Sequence, residues 1–278
     1  MMTKHPSSFS EGASKIVALS TAGAVLETLC SLVPQNSALA SHTILFVDID
    51  DTLITPQSKA FRIGAGHNLI DQIKQDKDSH KHFDMILSQW RLTRRIMLLD
   101  PEWPAVLEAL QAQFQVYGLT KVDTGAFGLI ASMEEWRYQE LKSLGLIFSA
   151  HPQMEQSAIN HRVQTQNSRS QNQPIFYQGI FMTGALSKGQ VLDRYQRFLK
   201  AQQVILIDDR IEYLHEVEAF CKKNAIAFMG ILFEGVRALK EREQQPADPL
   251  VVAFQKKYLL EHQQWLEDEA AIALMLLQ

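Results

Sequence analysis

Four continuous apolar runs constrain the fold of this chain more than any other feature of its sequence. They cover residues 43–48, 114–119, 204–208 and 225–233, and they are rich in β-branched and aromatic residues. A half-exposed strand alternates apolar and polar residues, whereas a strand covered on both faces is apolar along its length. Helical patterns separate the runs. The sequence therefore predicts an α/β fold, a Rossmann-like three-layer sandwich with a central, mostly parallel sheet.

The long connection between the first two strands predicts an insertion. Residues 55–112 are strongly polar and have helical periodicity, whereas a right-handed βαβ crossover needs only roughly a dozen residues beyond its strands. The excess predicts a small helical cap at one edge of the sheet. Residues 1–54 and 113–278 would then form the core domain.

Two glycines predict where local elements turn or end. A fifth run, at 174–183, is interrupted by Gly179 and predicts either a hairpin or a strand that is entered through a turn. Residues 133–145 predict a helix, for which Gly145 is a suitable C-terminal cap.

The last third of the chain contains one polar stretch and one long helical pattern. Residues 160–174 are rich in Gln, Asn and Ser and predict a mobile loop. From Leu250 to the end, a single helical pattern predicts a helix that packs on the core or offers a surface to a protein partner. Its large apolar residues are Phe254, Tyr258, Trp265 and Leu266.

The N-terminal region allows two interpretations. Residues 16–30 are mildly apolar and precede Ser-Ala-Leu-Ala, as in a secretion signal, but Ser20, Thr21 and Glu27 interrupt the apolar stretch. The spacing of its apolar residues favours an amphipathic helix beside the first strand. No stretch approaches the roughly 20 apolar residues of a membrane-spanning helix.

Charge and cysteine content exclude several classes of protein. The formal net charge is −4, which argues against a protein that coats nucleic acid, so no nucleic-acid partner is expected. Cys30 and Cys221 are too few and too distant for a disulfide framework, and neither lies in a metal-ligand spacing. The slightly acidic charge balance favours chemistry on a small molecule.

Acidic residues follow the first apolar run directly. Asp48, Asp50, Asp51, Thr52 and Leu53 form the pattern D-x-D-x-T-L after a strand. Asp and Thr also favour turns and helix N-caps, so a purely structural role is the alternative. The chain can turn at the end of a strand and bring Asp48 and Asp50 to one place.

Four further residues at strand or helix ends carry polar or charged side chains. Thr120 ends the second strand, and Lys188 begins an amphipathic helix, where the helix dipole opposes its charge unless an anion is near. Asp208 and Asp209 end the strand at 204–208, and two adjacent carboxylates invite a divalent cation. Each of these signals also has a purely structural explanation. Thr is common at strand ends, a Lys at a helix start can simply be solvated, and an acid at this position can be a helix N-cap. Parallel strands would bring all these groups to the carboxyl edge of the sheet, where open α/β folds bind ligands.

These motifs, in this order, resemble those of the haloacid dehalogenase-like superfamily of phosphotransferases. The match covers roughly residues 43–235 and is specific at the first and last motifs, and Asp208-Asp209-Arg210 also looks like the version in polynucleotide phosphatases. The resemblance implies that Asp48 is a nucleophile forming an aspartyl-phosphate and that Asp50 is the general acid and base.

The same resemblance implies a Mg²⁺ cofactor and the residues around it. Its ligands would be Asp48, the backbone carbonyl of Asp50 and Asp209, with Asp208 nearby or exchanging roles with Asp209. Thr120 and Lys188 would hold phosphoryl oxygens. Two positions depart from the superfamily pattern. These are Asp51, where Gly is frequent, and Lys121, where many relatives have Asn.

Three stretches also resemble a narrower, uncharacterised bacterial family, some of whose members come from intracellular pathogens. They are DIDDTLI, FYQGIFMTGALSKGQVL and LIDDR. The expected function is Mg²⁺-dependent hydrolysis of a small phosphomonoester. The alternatives are a catalytically silent interaction or effector protein and a phosphotransferase with an acceptor other than water. A cytoplasmic location is expected, with secretion or delivery to a host cell as the alternative.

The predicted insertion would supply substrate selectivity. Arg91, Arg94 and Arg95 could hold a second phosphate or another acidic group, although a solvated basic helix face is the favoured interpretation. His80 and His82 lack the spacing and the neighbouring acids of a metal site.

Overall fold

The computed structural model of the chain describes residues 15–33, 40–62, 69–70, 73, 82–155, 172–243 and 246–277. The strands in this part are β1 (Lys15–Leu19), β2 (Thr43–Val47), β3 (Ile54–Pro56), β4 (Ile96–Leu98), β5 (Gln115–Thr120), β6 (Ile175–Tyr177), β7 (Ile180–Met182), β8 (Gln203–Asp208) and β9 (Ala227–Phe233). The α-helices are α1 (Ala22–Leu32), α2 (Phe83–Thr93), α3 (Trp103–Gln111), α4 (Met133–Ser143), α5 (Lys188–Leu199), α6 (Ile211–Lys223), α7 (Gly235–Glu243), α8 (Pro249–His262) and α9 (Asp268–Met275).

A seven-stranded sheet forms the centre of the molecule. Its strand order is β1-β9-β8-β2-β5-β7-β6, and neighbouring strands are parallel except β6 and β7, which are antiparallel. Helices cover both faces. The predicted α/β class with a mostly parallel central sheet is therefore confirmed, and the four apolar runs correspond to β2, β5, β8 and β9.

The two faces of the sheet bury separate hydrophobic clusters. Successive residues of a strand point to opposite faces, so in β2 Leu45 packs with α1, α3 and α4, whereas Phe46 packs with α5 and α6. This double burial explains why the strand sequence is apolar without alternation.

The fifth run is a hairpin. Strands β6 and β7 are joined by Gln178 and Gly179, both with positive φ, 47° and 80°. Two-residue hairpin loops favour this conformation because its twist matches that of the strands. A side chain at Gly179 would also meet the backbone oxygen of Ser149 at 2.8 Å, so the glycine is required sterically.

The amphipathic helix predicted near the N-terminus is confirmed as α1, but the first residues of the apolar stretch 16–30 are not part of it. Residues 15–19 form β1, which pairs in parallel with β9 at the sheet edge. The helix begins only at Ala22, after Thr21, whose hydroxyl accepts a hydrogen bond from the Ala24 amide at 3.2 Å. Ser20 and Thr21 are thus the boundary between a strand and a helix, whereas Glu27 lies within α1.

The predicted single C-terminal helix was wrong. Two helices, α8 and α9, are separated at Gln263, which has a φ of 57°. The break lets Trp265 turn inward, where its ring lies 4.8 Å from that of Phe61, and its amide donates to the Thr93 hydroxyl at 2.9 Å. Burial of a large aromatic side chain therefore overrides the helical pattern.

A third hydrophobic cluster joins the first half of the predicted insertion to the end of the chain. Its members come from residues 60–90 and 247–265, including Phe61, Trp90 and Trp265. Helix α3 also lies within the predicted insertion, but its Trp103 and Leu107 pack on the main sheet. The assignment of residues 55–112 to a cap stays a prediction.

Two sequence features lie partly or wholly outside the described residues. The polar stretch at 160–174 is described only from residue 172, and His80 falls within the undescribed segment 74–81. Among the described helices, none has the length and apolar content needed to cross a membrane.

Candidate functional site

Three carboxylates meet at the carboxyl edge of neighbouring strands. Asp48 follows β2 directly, and its amide continues the ladder by donating to the carbonyl of Ile207 in β8 at 2.9 Å. Asp208 ends β8 and Asp209 follows it. Because β2 and β8 run in parallel side by side, the acids of both lie at the same edge. One carboxylate oxygen from each of the three lies within 4.8 Å of the others.

Lys188 occupies the centre of this acidic group. Its Nζ donates to Asp48 Oδ1 and to Asp208 Oδ2, each at 2.5 Å, and its side chain has no exposed surface. The ammonium also lies 4.8 Å from the centre of the Tyr213 ring. The acids therefore supply the negative charge that a lysine needs at a helix N-terminus.

Local sequence determines where the helix carrying Lys188 begins. Ser187 and Gln190 form a capping box, in which each residue bonds the backbone amide of the other. Gly189 lets α5 approach α6 closely, because a Cβ atom there would lie 2.5 Å from the carbonyl oxygen of Glu216. Any larger residue would therefore force α5 and α6 apart at this point.

The acidic group has the charge and the donor set of a divalent-cation site. Three carboxylates and one ammonium leave two negative charges when all are ionised. Burial and the neighbouring carboxylates raise the pKa of Asp209 to about 8. Burial likewise raises the pKa of Asp48 to about 7, although Lys188 opposes this. Carboxylate oxygens are the ligands that Mg²⁺ prefers, so the residues fit such an ion.

Asp208 and Asp209 are held differently. Asp208 accepts hydrogen bonds from Lys188 and, at 3.0 Å, from the Arg210 amide. Within the described part of the chain, no donor holds the Asp209 carboxylate. Asp209 is therefore the freer of the two to bind a cation.

The Asp50 carboxylate turns away from the acidic group. Its Oδ2 accepts a hydrogen bond from Arg137 Nη2 at 2.7 Å, and 44% of the side chain is exposed. Burial would raise the pKa of Asp50, but the charge of Arg137, aided by Arg94, outweighs it and lowers the pKa. Asp50 is thus an ionised carboxylate in this conformation.

The residues that follow shape the loop around Asp48. Asp51 has a φ of 64°, a left-handed conformation that Asp tolerates better than most residues, and its carboxylate accepts a bond from Thr55 at 3.0 Å. The Thr52 hydroxyl donates to Asp48 Oδ2 at 3.2 Å. Both oxygens of Asp48 are therefore held, one by Lys188 and one by Thr52.

Thr120 and Lys121 end the neighbouring strand β5. Thr120 is buried beside β2, and its carbonyl accepts a hydrogen bond from the Thr183 amide at 3.0 Å. The Lys121 ammonium donates to the carbonyls of Gly184 and Leu186 at 3.2 and 2.7 Å. Lys121 thus stabilises the loop that leads to Lys188.

The interpretation of Arg91 and Arg94 as a solvated face was wrong. Their side chains are only 13% and 5% exposed, and they pair with Asp123 and Glu140. Arg95 is exposed, as is His82 before α2.

Sequence reasoning missed Arg137 entirely. It lies at the spacing i, i+4, i+8 with Met133 and Leu141, so an arginine occupies the buried stripe of α4. A charged residue in an apolar stripe was the signal that could have identified it.

Comparisons with known proteins place the chain in a family. The model of the family described as "Protein of unknown function (DUF2608)" matches residues 26–272. The chain is also similar to "Uncharacterized protein RP296" of Rickettsia prowazekii (strain Madrid E), with 24% identity over 255 residues, which cover 89% of this chain and 87% of the relative. No solved structure matches.

The chain therefore belongs to the DUF2608 family. The match overturns the assignment to the haloacid dehalogenase-like superfamily, because DUF2608 is a distinct family and neither comparison indicates that superfamily. The motif resemblance consequently gives no residue its role. Any function has to be argued from the geometry at the sheet edge.

Proposed function

We propose that this member of the DUF2608 family is a Mg²⁺-dependent phosphatase that hydrolyses a small phosphomonoester through an aspartyl-phosphate on Asp48. One observation carries the proposal, namely the convergence of Asp48, Asp208 and Asp209, of which the buried ammonium of Lys188 bridges Asp48 and Asp208. Buried like charges are costly to maintain, and such groups occur most often at functional sites.

The charge distribution favours phosphoryl transfer over other reactions. In phosphoryl transfer the enzyme mainly positions the reactants and stabilises negative charge on the phosphoryl oxygens. Lys188 supplies one positive charge and Thr120, at the adjacent strand end, supplies a hydroxyl donor. Mg²⁺ held by Asp48, Asp208 and Asp209 would add positive charge at the phosphoryl oxygens and keep Asp48 ionised.

Asp48 is the proposed nucleophile. Its carboxylate attacks phosphorus while the ester P–O bond breaks, and the departing oxygen takes a proton from Asp50. Water then attacks the aspartyl-phosphate, Asp50 accepts a proton from that water, and the bond to Asp48 breaks to release inorganic phosphate. The hydrogen bonds from Lys188 and Thr52 orient Asp48 for the attack.

The contact between Asp50 and Arg137 favours the second step of the reaction and must be broken for the first. An ionised Asp50 is the form that accepts a proton from water in the second step. To protonate the leaving group in the first step, Asp50 must carry a proton and therefore separate from Arg137. The exposed side chain leaves it free to make that movement.

The decisive experiment measures phosphate release over a panel of small phosphomonoesters, with Mg²⁺ and with EDTA. The wild type should release phosphate only with Mg²⁺, and Asp48→Asn should release none while its circular dichroism spectrum stays unchanged. Asp193→Asn is the matched control, because Asp193 is an exposed acid paired with Lys223 on α6. Turnover that survives in Asp48→Asn would refute the proposed nucleophile.

A further inference from the structure

Three arginines form a cluster beside the proposed catalytic edge. Arg91 lies in the last turn of α2, Arg94 caps that helix, and Arg137 lies in α4. Arg137 bonds Asp50, which is two residues from the nucleophile, and Arg91 pairs with Asp123, which follows β5. The cluster therefore lies above the carboxyl ends of β2 and β5.

Aromatic rings hold the three guanidinium groups close together. The ring of Trp136 lies 5.8 Å from Arg91 Cζ, 5.4 Å from Arg94 Cζ and 4.9 Å from Arg137 Cζ. The Phe127 ring stacks at 4.5 Å on Arg91. Aromatic faces attract guanidinium groups and fix their planes without using their N–H donors. The donors thus stay available for acidic groups.

The cluster contains three acids, but they satisfy the arginines unequally. Glu140 bridges Arg94 and Arg137 with bonds of 2.7 Å each. Arg91, in contrast, reaches Asp123 only at 3.4 and 3.5 Å, well beyond the roughly 2.7–2.9 Å of a good charged hydrogen bond. Arg137 Nε is buried and has no partner among the described residues. Arg91 Nη1 also donates to Met133 Sδ at 3.6 Å, but a thioether is a weak acceptor. The cluster therefore has unused donor capacity, most of it on Arg91.

We infer that Arg91, with Arg137 beside it, is a binding subsite for a second acidic group on the substrate, and that this group is a carboxylate of the preferred phosphomonoesters. This inference rests on the proposed function and names its substrate class. A planar guanidinium binds such groups through two parallel hydrogen bonds, which gives both affinity and orientation. Arg94 is a positioning residue that keeps Glu140 and the rings in place.

The test compares substrates that differ only in the second acidic group. Two suitable pairs are O-phosphoserine with O-phosphoethanolamine and 3-phosphoglycerate with glycerol 3-phosphate. The wild type should prefer the carboxylate in at least one pair by roughly ten- to a hundredfold in kcat/KM, which corresponds to a charged hydrogen-bonded pair. Equal kcat/KM values within both pairs would overturn the inference.

Substitutions at Arg91 assign the preference to the subsite. Arg91→Gln should remove the preference, mainly through a higher KM for the carboxylate substrate. Arg91→Lys should retain part of the preference, because lysine keeps the positive charge and the aliphatic part of the side chain. Arg95→Gln is the matched control from the same segment, since Arg95 is exposed and outside the cluster. A preference unchanged in folded Arg91→Gln would contradict the inference.

Binding measured without turnover separates this inference from the proposed function. The same pairs are titrated into Asp48→Asn and into Asp48→Asn/Arg91→Gln, with tryptophan fluorescence as the signal because Trp136 lies in the cluster. Tighter binding of the carboxylate compound that requires Arg91 supports the subsite even if the wild type hydrolyses nothing. Turnover by the wild type without any such difference refutes the subsite and leaves the phosphatase proposal standing.

Discussion

Replacing Lys188 by Met tests the charge balance of the site directly. Lys188 is fully buried and donates to Asp48 and Asp208 at 2.5 Å each, so the substitution leaves two close carboxylates without their shared counter-charge. Removing one partner of a buried ion pair costs about 3–5 kcal/mol in the free energy of unfolding. For a chain of this size the melting temperature should fall by roughly 6–20 °C.

The destabilisation should depend on pH. Without Lys188 the folded-state pKa values of Asp48 and Asp208 rise further above their unfolded values, so the folded protein binds extra protons. Stability is then retained at low pH and lost as the pH rises through the folded-state pKa values. The melting temperatures of the variant and the wild type should therefore lie closer at pH 5 than at pH 8.

Thermal unfolding followed by circular dichroism, without Mg²⁺, is the appropriate measurement. Lys223→Met is the matched control, because Lys223 pairs with Asp193 on the surface and its loss should cost about 1 kcal/mol or less. Adding Asp208→Asn to Lys188→Met should recover part of the stability. A loss below about 1 kcal/mol that does not change between pH 5 and pH 8 would refute the argument.

Three further predictions follow from the same edge of the sheet. Addition of Mg²⁺ should raise the melting temperature of the wild type and of Asp193→Asn but not that of Asp209→Asn, and an equal rise in all three proteins would exclude Asp209 as a ligand. The raised pKa values of Asp48 and Asp209, about 7 and about 8, mean that their contribution to stability without metal is complete below about pH 4 and is lost as the pH rises to about 8. The rise caused by Mg²⁺ should consequently be larger at pH 8 than at pH 5, and melting curves at both values check this. Gly189→Ala should cost about 1–3 kcal/mol in urea unfolding, because the added Cβ meets a backbone oxygen of α6 at 2.5 Å, and a neutral effect would mean that the helices separate freely.

The central strands and the acids at their ends could be predicted because the signals are local. A strand buried on both faces must be apolar throughout, and a parallel sheet brings its carboxyl ends to one edge whatever the rest of the chain does. Asp48, Lys188, Asp208 and Asp209 were therefore identifiable from their positions after β2 and β8 or at the start of α5.

The features that sequence reasoning missed depend on contacts between distant residues. Strand β1 has five residues at the sheet edge, and only pairing with β9 distinguishes it from the start of the following helix. Arg91 is a basic helical residue like many others, and its burial arises from Phe127 and Trp136, which lie far along the chain. The direction of the Asp50 carboxylate likewise depends on Arg137 in another helix.

The third hydrophobic cluster has a consequence for the order in which the protein can form during synthesis. Phe61 stacks on Trp90 at 3.9 Å, and the same ring meets Trp265, which the ribosome adds about two hundred residues after Phe61. The central strands of the sheet, β2, β5, β8 and β9, are synthesised before α8 and α9. The sheet can therefore assemble while the segment around Phe61 is not yet covered by Trp265. During that interval its aromatic surface is exposed to aggregation and to chaperones, and a shortened chain that lacks α8 and α9 would remain in this state.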